Sequence, residues 1–559
     1  MFKINLNNKV KGYLLSFIIT LPILFQLLLI NDKGMIEADI HRWINLKVSI
    51  FVLYISWFFL SYVFIIILRK KLKIISIPIL FSLIIATYIV VTRQNIEYEV
   101  YASINNTTLS EALEFIISYP FLLSFTVVVV LFFVLYVTLL KADDELINKL
   151  IINKAHLVLM FSISCVGLIW SYYYARDALY KTYPLSIPFY QKMYITKSYL
   201  FKSNFEKINY RFVGKLDTDK NIEETYILVI GETARKHSMS IYGYKRETTP
   251  ELEKALNNTL LKSAIFNATS SGISTLISVP FLISAANVED YDKLSSTPTL
   301  IHVFNNFKYS TTLISNQETT GRNNDTIAMM LGQMQHIQFI SGNATKRKYD
   351  IELLEPLNEA IQKTDGKKFI IVHLMGSHWK YEQRYPKEFA IYGDDRIGTY
   401  DDSIRYTDFV LGKIFNLIEN SNKPIALIYT SDHGENLNDN GDNNYLHAVK
   451  EMTKYEIEVP LFITFNNKYY NLKKQKVDRL IRNQSVEVSH DNISHTFLGL
   501  AGIYDSNIYR SDYDISSEDF KFMERNSINR RLEIVNVDRY LNNIEPKIKH
   551  ASYNYETSK

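Results

Sequence analysis

The 559-residue sequence contains one cysteine, Cys165, inside an apolar run, so an intrachain disulfide is excluded and the usual redox clue to compartment is missing. Charge imbalance is also lacking: 62 basic and 58 acidic residues leave +4, too even a balance for a nucleic-acid binder. The first apolar run, 12–30, is not followed by a small-residue cleavage site, and its core is longer than the apolar part of a secretory signal. That run is expected to stay attached. Hydrophobic residues make up 47% of the chain and aromatics 13%. Mean hydropathy is nevertheless near zero, so the apolar character is concentrated, and it is concentrated at the front. A chain of this length predicts at least two separately packed units.

Five apolar runs, at about 12–30, 48–68, 74–92, 115–140 and 155–174, are long enough to cross a bilayer as helices. Lys3, Lys9 and Lys11 precede the first, and Arg69, Lys70, Lys71 and Lys73 crowd the loop between the second and third, which places those ends in the cytoplasm. Five crossings from an inside start leave everything after Tyr174 outside. The 175–213 stretch is rich in Tyr and Lys, has no run of spanning length, and reads as a connector lying along the membrane surface. The expected organisation is a five-span transmembrane domain at 1–174, this connector, and an extracytoplasmic domain at 214–559.

From about Glu224, short β-branched runs alternate with amphipathic stretches, the pattern of a sheet covered on both faces by helices. Strands are predicted at 226–230, 310–315, 368–374, 425–430 and 459–465, and helices at 250–258, 297–306, 350–364 and 400–419. Ligands of open α/β sheets collect beyond the carboxyl ends of strands. The first strand runs into Gly231-Glu232-Thr233 and the fourth into Ser431-Asp432-His433-Gly434-Glu435. The third carries His373 and ends in Met375-Gly376-Ser377-His378, and the second is followed by Asn316-Gln317. An acidic residue after a strand is usually a cap or a solvated turn, but several together suggest a binding site.

Zinc takes carboxylate, imidazole and thiolate ligands, and cysteine is absent from this half. Glu232, Asp432 and His433 would supply three ligands. A hydroxyl side chain in the fourth position would lose its proton readily and become a nucleophile. The segment NATSSGISTLISVPFLIS (267–284) offers such hydroxyls in a turn before an apolar run. Composition does not choose among Thr269, Ser270, Ser271, Ser274 and Thr275; a helix beginning at Thr275 would present it among free backbone N–H groups that favour a phosphoryl anion.

At these residues the sequence resembles the phosphoethanolamine transferases. IGETARKHSMSIYGYKRETTPEL (230–252) is similar to the family's block of Gly-Glu-Ser/Thr, Gly-Tyr, then Arg and Thr before Pro. SGISTLISVPFLIS resembles the nucleophile block, and SDHGE, HLMGSH and YLH (445–447) complete the set in order. The resemblance implies an α/β/α sandwich of the alkaline phosphatase and sulfatase type, with Glu232, Thr275, Asp432 and His433 holding zinc, one ion or two. Thr275 is implied as ligand and nucleophile. His378 and His447 match histidines that contact the phosphoryl group or a second zinc, and Asn316 with Gln317 is expected to polarise the phosphate. NNTTLSEALEF (105–115) resembles a loop that holds the lipid headgroup, which implies Thr107 and Glu111 as substrate contacts.

The implied reaction is a two-step transfer from phosphatidylethanolamine, through a phosphoethanolamine-threonine, to a lipopolysaccharide core sugar, lipid A or another envelope glycan. His378 or His447 would be the general acid. The implied location is the bacterial inner membrane with the catalytic domain in the periplasm, and a monomer is the default. Ser271 and Phe281 stand where many members have disulfide cysteines, so packing must fix that loop. RETTPEL, SNQET and HLMGSHWKYEQRYP look more like the branch that decorates core sugars. A glycerol-phosphate polymerase of the lipoteichoic acid type shares the architecture but not the 230–252 block, and a decayed scaffold would be expected to lack the ligands.

Overall fold

The computed structural model describes residues 8–29, 40–67, 72–92, 98–106, 121–140, 154–174, 182–217, 222–317, 326–340, 348–363, 366–439, 445–448 and 452–541. The chain divides into two compact units, Met1–Ile195 and Thr196–Lys559.

In the first unit a helix coincides with each expected apolar run: Asn8–Leu29, Ile40–Ile67, Leu72–Thr92, Phe121–Leu140 and Lys154–Tyr174. Among the described residues, Ile50–Ile67 and Ala155–Tyr172 are long and apolar enough to cross a membrane; Tyr13–Gln26, Ile77–Ile89 and Leu123–Val134 are shorter apolar stretches. The bundle turns large apolar side chains outward, among them Phe51, Phe64, Phe81, Phe133, Val158 and Val166. Thr20, Ser56 and Ser171 are buried in it and bond to their own helices: Thr20 to Ser16 O, Ser56 to Val52 O and Ser171 to Gly167 O. Each hydroxyl is thereby satisfied without water. Gly167 faces Ser56, where a Cβ would lie 2.1 Å from Ser56 Oγ, so the glycine permits that close helix approach.

The 175–213 stretch, expected to be a connector, contains a helix at Ser186–Phe205; residues 175–181 lie outside the described set.

The second unit is built on an eight-stranded sheet. Its strands in chain order are β1 Thr225–Gly231, β2 Leu261–Thr269, β3 Ser310–Ser315, β4 His336–Phe339, β5 Lys368–His373, β6 Ile425–Ser431, β7 Glu458–Asn466 and β8 Val488–Ser489. Their spatial order is β8-β2-β7-β6-β1-β5-β3-β4. β1 pairs in parallel with β5 and β6, and β3 with β4 and β5, whereas β7 runs antiparallel between β6 and β2. All five predicted strands are present. Because β7 is reversed, its carboxyl end lies at the opposite edge, which explains why it alone among the five carried no site-like residues.

Strand side chains alternate between the two faces. Tyr226, Leu228 and Ile230 of β1 enter one core with Phe304 and Phe497, while Ile227 and Val229 enter the other with Leu357, Val410 and Ile414. Neither face meets water, so both need apolar residues and the strands read as continuous hydrophobic runs. The helices Leu300–Asn306 and Asp491–Ala501 cover the first face; Leu354–Gln362 and Arg396–Glu419 cover the second. This is the α/β/α layering expected for the alkaline phosphatase and sulfatase type.

Candidate active site

β1 and β6 are parallel neighbours in register, with Gly231 opposite Ser431. They therefore end at the same level, and the residues that follow are placed side by side. Asp432 N donates to Gly231 O at 3.0 Å, which locks Glu232 beside Asp432. Thr233, next in line, has φ +59, and its backbone is clamped: Tyr400 OH donates to Thr233 O at 2.7 Å and accepts from Arg235 N at 3.0 Å. Tyr400 lies in the long Arg396–Glu419 helix, capped by Asp395, whose carboxylate accepts from Gly398 N at 2.7 Å.

The 270–275 loop arrives from β2, across the sheet. After Thr269 the chain crosses Ser270, whose N–H donates to Ile457 O at 2.8 Å, and Ser271, whose carbonyl accepts from Ile528 N at 2.9 Å. Phe281 is buried against Ile277, Val288, Leu294 and Ile528. Packing and backbone hydrogen bonds therefore hold this loop. The helix Thr275–Leu282 begins with Ser274 extended at its N-cap, so Thr275 is its first residue.

These elements converge on one point. Thr275 Oγ1 lies 3.4 and 3.3 Å from the two carboxylate oxygens of Glu232 and 3.3 Å from His433 Nε2. His433 Nε2 lies 3.6 Å from Glu232 Oε1 and 3.4 Å from Asp432 Oδ2. Ligands about 2.0–2.1 Å from a common tetrahedral ion are separated by roughly 3.3–3.4 Å, so the four groups have the spacing of a zinc shell.

The hydrogen bonding agrees. His433 Nδ1 donates to Gly434 O at 2.8 Å, which leaves Nε2 with its lone pair toward the cluster. Asp432 Oδ1 accepts from Thr233 N and His433 N, while Asp432 Oδ2 is buried without a hydrogen-bond partner. An orphaned carboxylate oxygen in an acidic buried cluster fits a cation. Burial and then the Asp432 carboxylate push the Glu232 carboxyl well above the ordinary range. Burial, then His447, hold His433 well below the ordinary imidazole range. A divalent ion here would satisfy both carboxylates.

His433, Glu435 and His447 form a second ligand-capable group. Glu435 is fully buried; its Oε1 accepts from Tyr381 OH at 2.7 Å and its Oε2 lies 3.0 Å from His447 Nδ1. The His433 and His447 rings are 4.2 Å apart between centroids. For His447, burial acts to lower the pKa, but Glu435 outweighs it and the net shift is upward. His378 is half-buried, with Nδ1 2.8 Å from Trp379 O, and its charge acts on His433.

Of the residues expected from sequence, Glu232, Thr275, Asp432 and His433 lie together, with His447 against them and His378 in electrostatic reach. Thr107 and Glu111 lie outside the described residues. Asn316 is fully buried, and its amide donates to Lys348 O and to Asp350 Oδ1 at 3.1 and 2.7 Å. Asp350 in turn accepts from Met375 N and Gly376 N, both at 2.9 Å, so Asn316 braces the 375–378 loop. Its neighbour Gln317 reaches the cluster instead, donating to Glu232 Oε2 at 3.2 Å and Leu374 O at 2.8 Å. Glu435 stood in the sequence only within SDHGE; the signal that could have found it is its position two residues after His433.

Residues 224–503 match the family model described as Sulfatase, and the chain belongs to that family. Within it, the chain is similar to phosphoethanolamine transferases. It is 29% identical over 314 residues to phosphoethanolamine transferase EptC of Escherichia coli (strain K12), covering 51% of this chain and 52% of that protein. The chain spans about half the length of the curated relatives it matches. The crystal structure of the C-terminal periplasmic domain of Escherichia coli EptC in complex with Zn is 24% identical with a TM-score of 0.53, covering 59% of this chain and 97% of that one. The integral membrane protein lipooligosaccharide phosphoethanolamine transferase A from Neisseria meningitidis is 19% identical with a TM-score of 0.65, covering 90% of this chain and 97% of that one. These two likenesses concern the fold.

Proposed function

We propose that this chain transfers phosphoethanolamine from phosphatidylethanolamine to a sugar or lipid A group of an envelope glycolipid, by way of a covalent adduct on Thr275. The observation that carries the proposal is the convergence of Thr275 Oγ1 with Glu232 and His433 at 3.3–3.4 Å, from strand ends and a helix far apart in sequence. The names of the curated relatives support the phosphoethanolamine group.

Glu232, Asp432, His433 and Thr275 would hold the zinc. When bound, zinc lowers the pKa of a coordinated hydroxyl and offsets charge on the phosphoryl oxygens. Thr275 Oγ gives up its proton and attacks phosphorus, the bond from phosphorus to the diacylglycerol oxygen breaks, and that oxygen takes up a proton. In the second step an acceptor hydroxyl attacks the same phosphorus, gives up its proton, and Thr275 Oγ is released. His447, whose pKa is raised next to Glu435, is placed to hold and deliver that proton, and His378 is the other candidate. Gln317 fixes one oxygen of Glu232 and keeps that carboxylate aimed at Thr275. The first residue of a helix brings backbone N–H groups to the phosphoryl anion.

The 1–174 part would span the membrane five times, and 214–559 would work outside it. A donor with two acyl tails stays in the bilayer, so a membrane-anchored enzyme meets its headgroup directly. The outward apolar side chains of the helical unit support this reading. The test uses detergent-solubilised full-length protein with phosphatidylethanolamine and lipopolysaccharide. Diacylglycerol release together with phosphoethanolamine on the glycolipid is expected, both absent in Thr275→Ala; glycerol-phosphate chains as product would overturn the assignment.

A further inference from the structure

His490 belongs to none of the motifs above, yet it is fully buried between the two halves of the site. It sits at the N-cap of the Asp491–Ala501 helix, and its own N–H donates to Thr269 O at 3.0 Å. Its ring makes three further contacts, one of them a long one of 3.4 Å between Nε2 and Thr430 Oγ1. Ser271 N–H donates to His490 Nδ1 at 3.2 Å, and His490 Nε2 lies 3.1 Å from Ser431 O. A carbonyl only accepts, so Nε2 carries the proton and donates, while Nδ1 accepts. The ring is therefore neutral and in one tautomer. Burial, only partly opposed by Asp432, pushes its pKa down to about 3, in agreement with that requirement.

The two partners matter more than the bonds themselves. Ser431 closes β6 and directly precedes Asp432 and His433; Ser271 lies in the turn that delivers Thr275. The imidazole thus spans the backbone of the metal-ligand strand and the backbone of the nucleophile turn. We propose that His490 is a positioning residue that sets the separation of Thr275 Oγ from His433 and Glu232 by tying Ser271 to Ser431. This rests on the reading of Thr275 as nucleophile and ligand. An apolar residue of similar size would fill the space but leave a buried N–H and a buried C=O unpaired.

Two substitutions separate the two bonds. The amide oxygen of His490→Asn stands near the place of Nδ1 and keeps an acceptor for Ser271. The amide of His490→Gln stands near Nε2 and keeps the donor to Ser431, but loses the nucleophile turn. Displacements near 1 Å at a reacting group cost on the order of 10²-fold in rate. In full-length protein with fluorescent-tailed phosphatidylethanolamine in detergent, kcat should therefore fall about 10- to 100-fold in His490→Gln and less in His490→Asn, with KM unchanged.

A second readout avoids turnover: zinc affinity by chelator competition should weaken about 10-fold or more in His490→Gln, toward that of Thr275→Ala. His490→Asn gives up the Nε2 contacts to Ser431 O and Thr430 Oγ1 and His490→Gln only the Nδ1 contact, so the thermal midpoint of metal-free His490→Gln should be no lower than that of His490→Asn although its zinc affinity is the weaker. Activity and zinc affinity that simply follow thermal stability in both variants, or a folded His490→Gln with wild-type zinc affinity, would overturn the proposal. Thr275→Ala in the same assay tests the underlying reading separately: if it turns over normally, the nucleophile assignment fails whatever His490 does.

Discussion

Gly376→Ala tests whether the strand-end geometry controls the site. Gly376 has φ +53, in the left-handed region, and follows β5 directly behind Glu232. A Cβ there would lie 2.7 Å from Glu232 O, 2.8 Å from Glu232 N and 3.1 Å from Glu232 Cβ. Comfortable contacts between such atoms are about 3.5–4 Å, so either backbone must move by roughly 0.5–1 Å. The neighbour cannot yield as a flexible side chain would, because Glu232 is tied to β6 through Gly231 and Asp432. Two costs follow: about 1–2 kcal/mol for a side chain in the left-handed conformation, and a typical 1–3 kcal/mol for overpacking. The displaced residue carries a carboxylate proposed to hold zinc, so zinc affinity and kcat should both fall, kcat by on the order of 10²-fold. Gly366→Ala is the control, since Gly366 has φ +79 with nothing within 4 Å of a Cβ. It should lose stability through backbone strain alone and keep zinc affinity and turnover. The assay pairs thermal denaturation with chelator competition and diacylglycerol release. If Gly376→Ala binds zinc and turns over like Gly366→Ala, the strand-end packing does not govern the site.

Thr275→Ser should retain turnover within about 10- to 100-fold while Thr275→Ala loses at least ~10³-fold, measured as diacylglycerol release. Zinc at 100 times its dissociation constant should stabilise the metal-free protein by about 2.7 kcal/mol. Because Glu232, its carboxyl pushed well above the ordinary range, must shed a proton to bind, the gain at one fixed zinc concentration should be larger at pH 8 than at pH 6 in a thermal-shift titration. Asp491 is buried with its pKa pushed up to about 7 from 3.8, and it accepts from Val288 N at 3.2 Å. Its folded-state pKa exceeds the unfolded value, so the unfolded chain ionises first and stability is lost as pH rises from about 4 to 7. Asp491→Asn should therefore be more stable than wild type at pH 8, by on the order of 1–4 kcal/mol, and the difference should vanish near pH 4 in denaturant titrations.

Much of the fold was legible because buried strands are apolar on both faces, as YILVI and IALIYT are. β2 was not: Lys262, Ser263 and Asn267 interrupt its apolar residues, and its partly covered positions hide the strand period. β4 is four exposed residues at the sheet edge and carries little hydrophobic signal. Glu232, Asp432 and His433 could be read as candidates since they follow strands, but their adjacency depends on β1 and β6 being neighbours in register, which no local pattern encodes. The different surroundings of Asn316 and Gln317 were hidden for a related reason. Successive residues leaving β3 point to opposite sides, so a one-residue difference sends one amide to Asp350 and the other to Glu232. His490 gave no signal in sequence because its role is fixed by two backbone groups distant along the chain.

The account depends on which hydroxyl takes the phosphoryl group. Full-length protein incubated with phosphatidylethanolamine without acceptor, quenched in acid, digested and sequenced by tandem mass spectrometry, reads this directly. A phosphoethanolamine ester on Thr275, absent in Thr275→Ala and in zinc-stripped protein, is the expected result. Diacylglycerol release with the adduct on Thr269, Ser270, Ser271 or Ser274, or with no adduct at all, would contradict it.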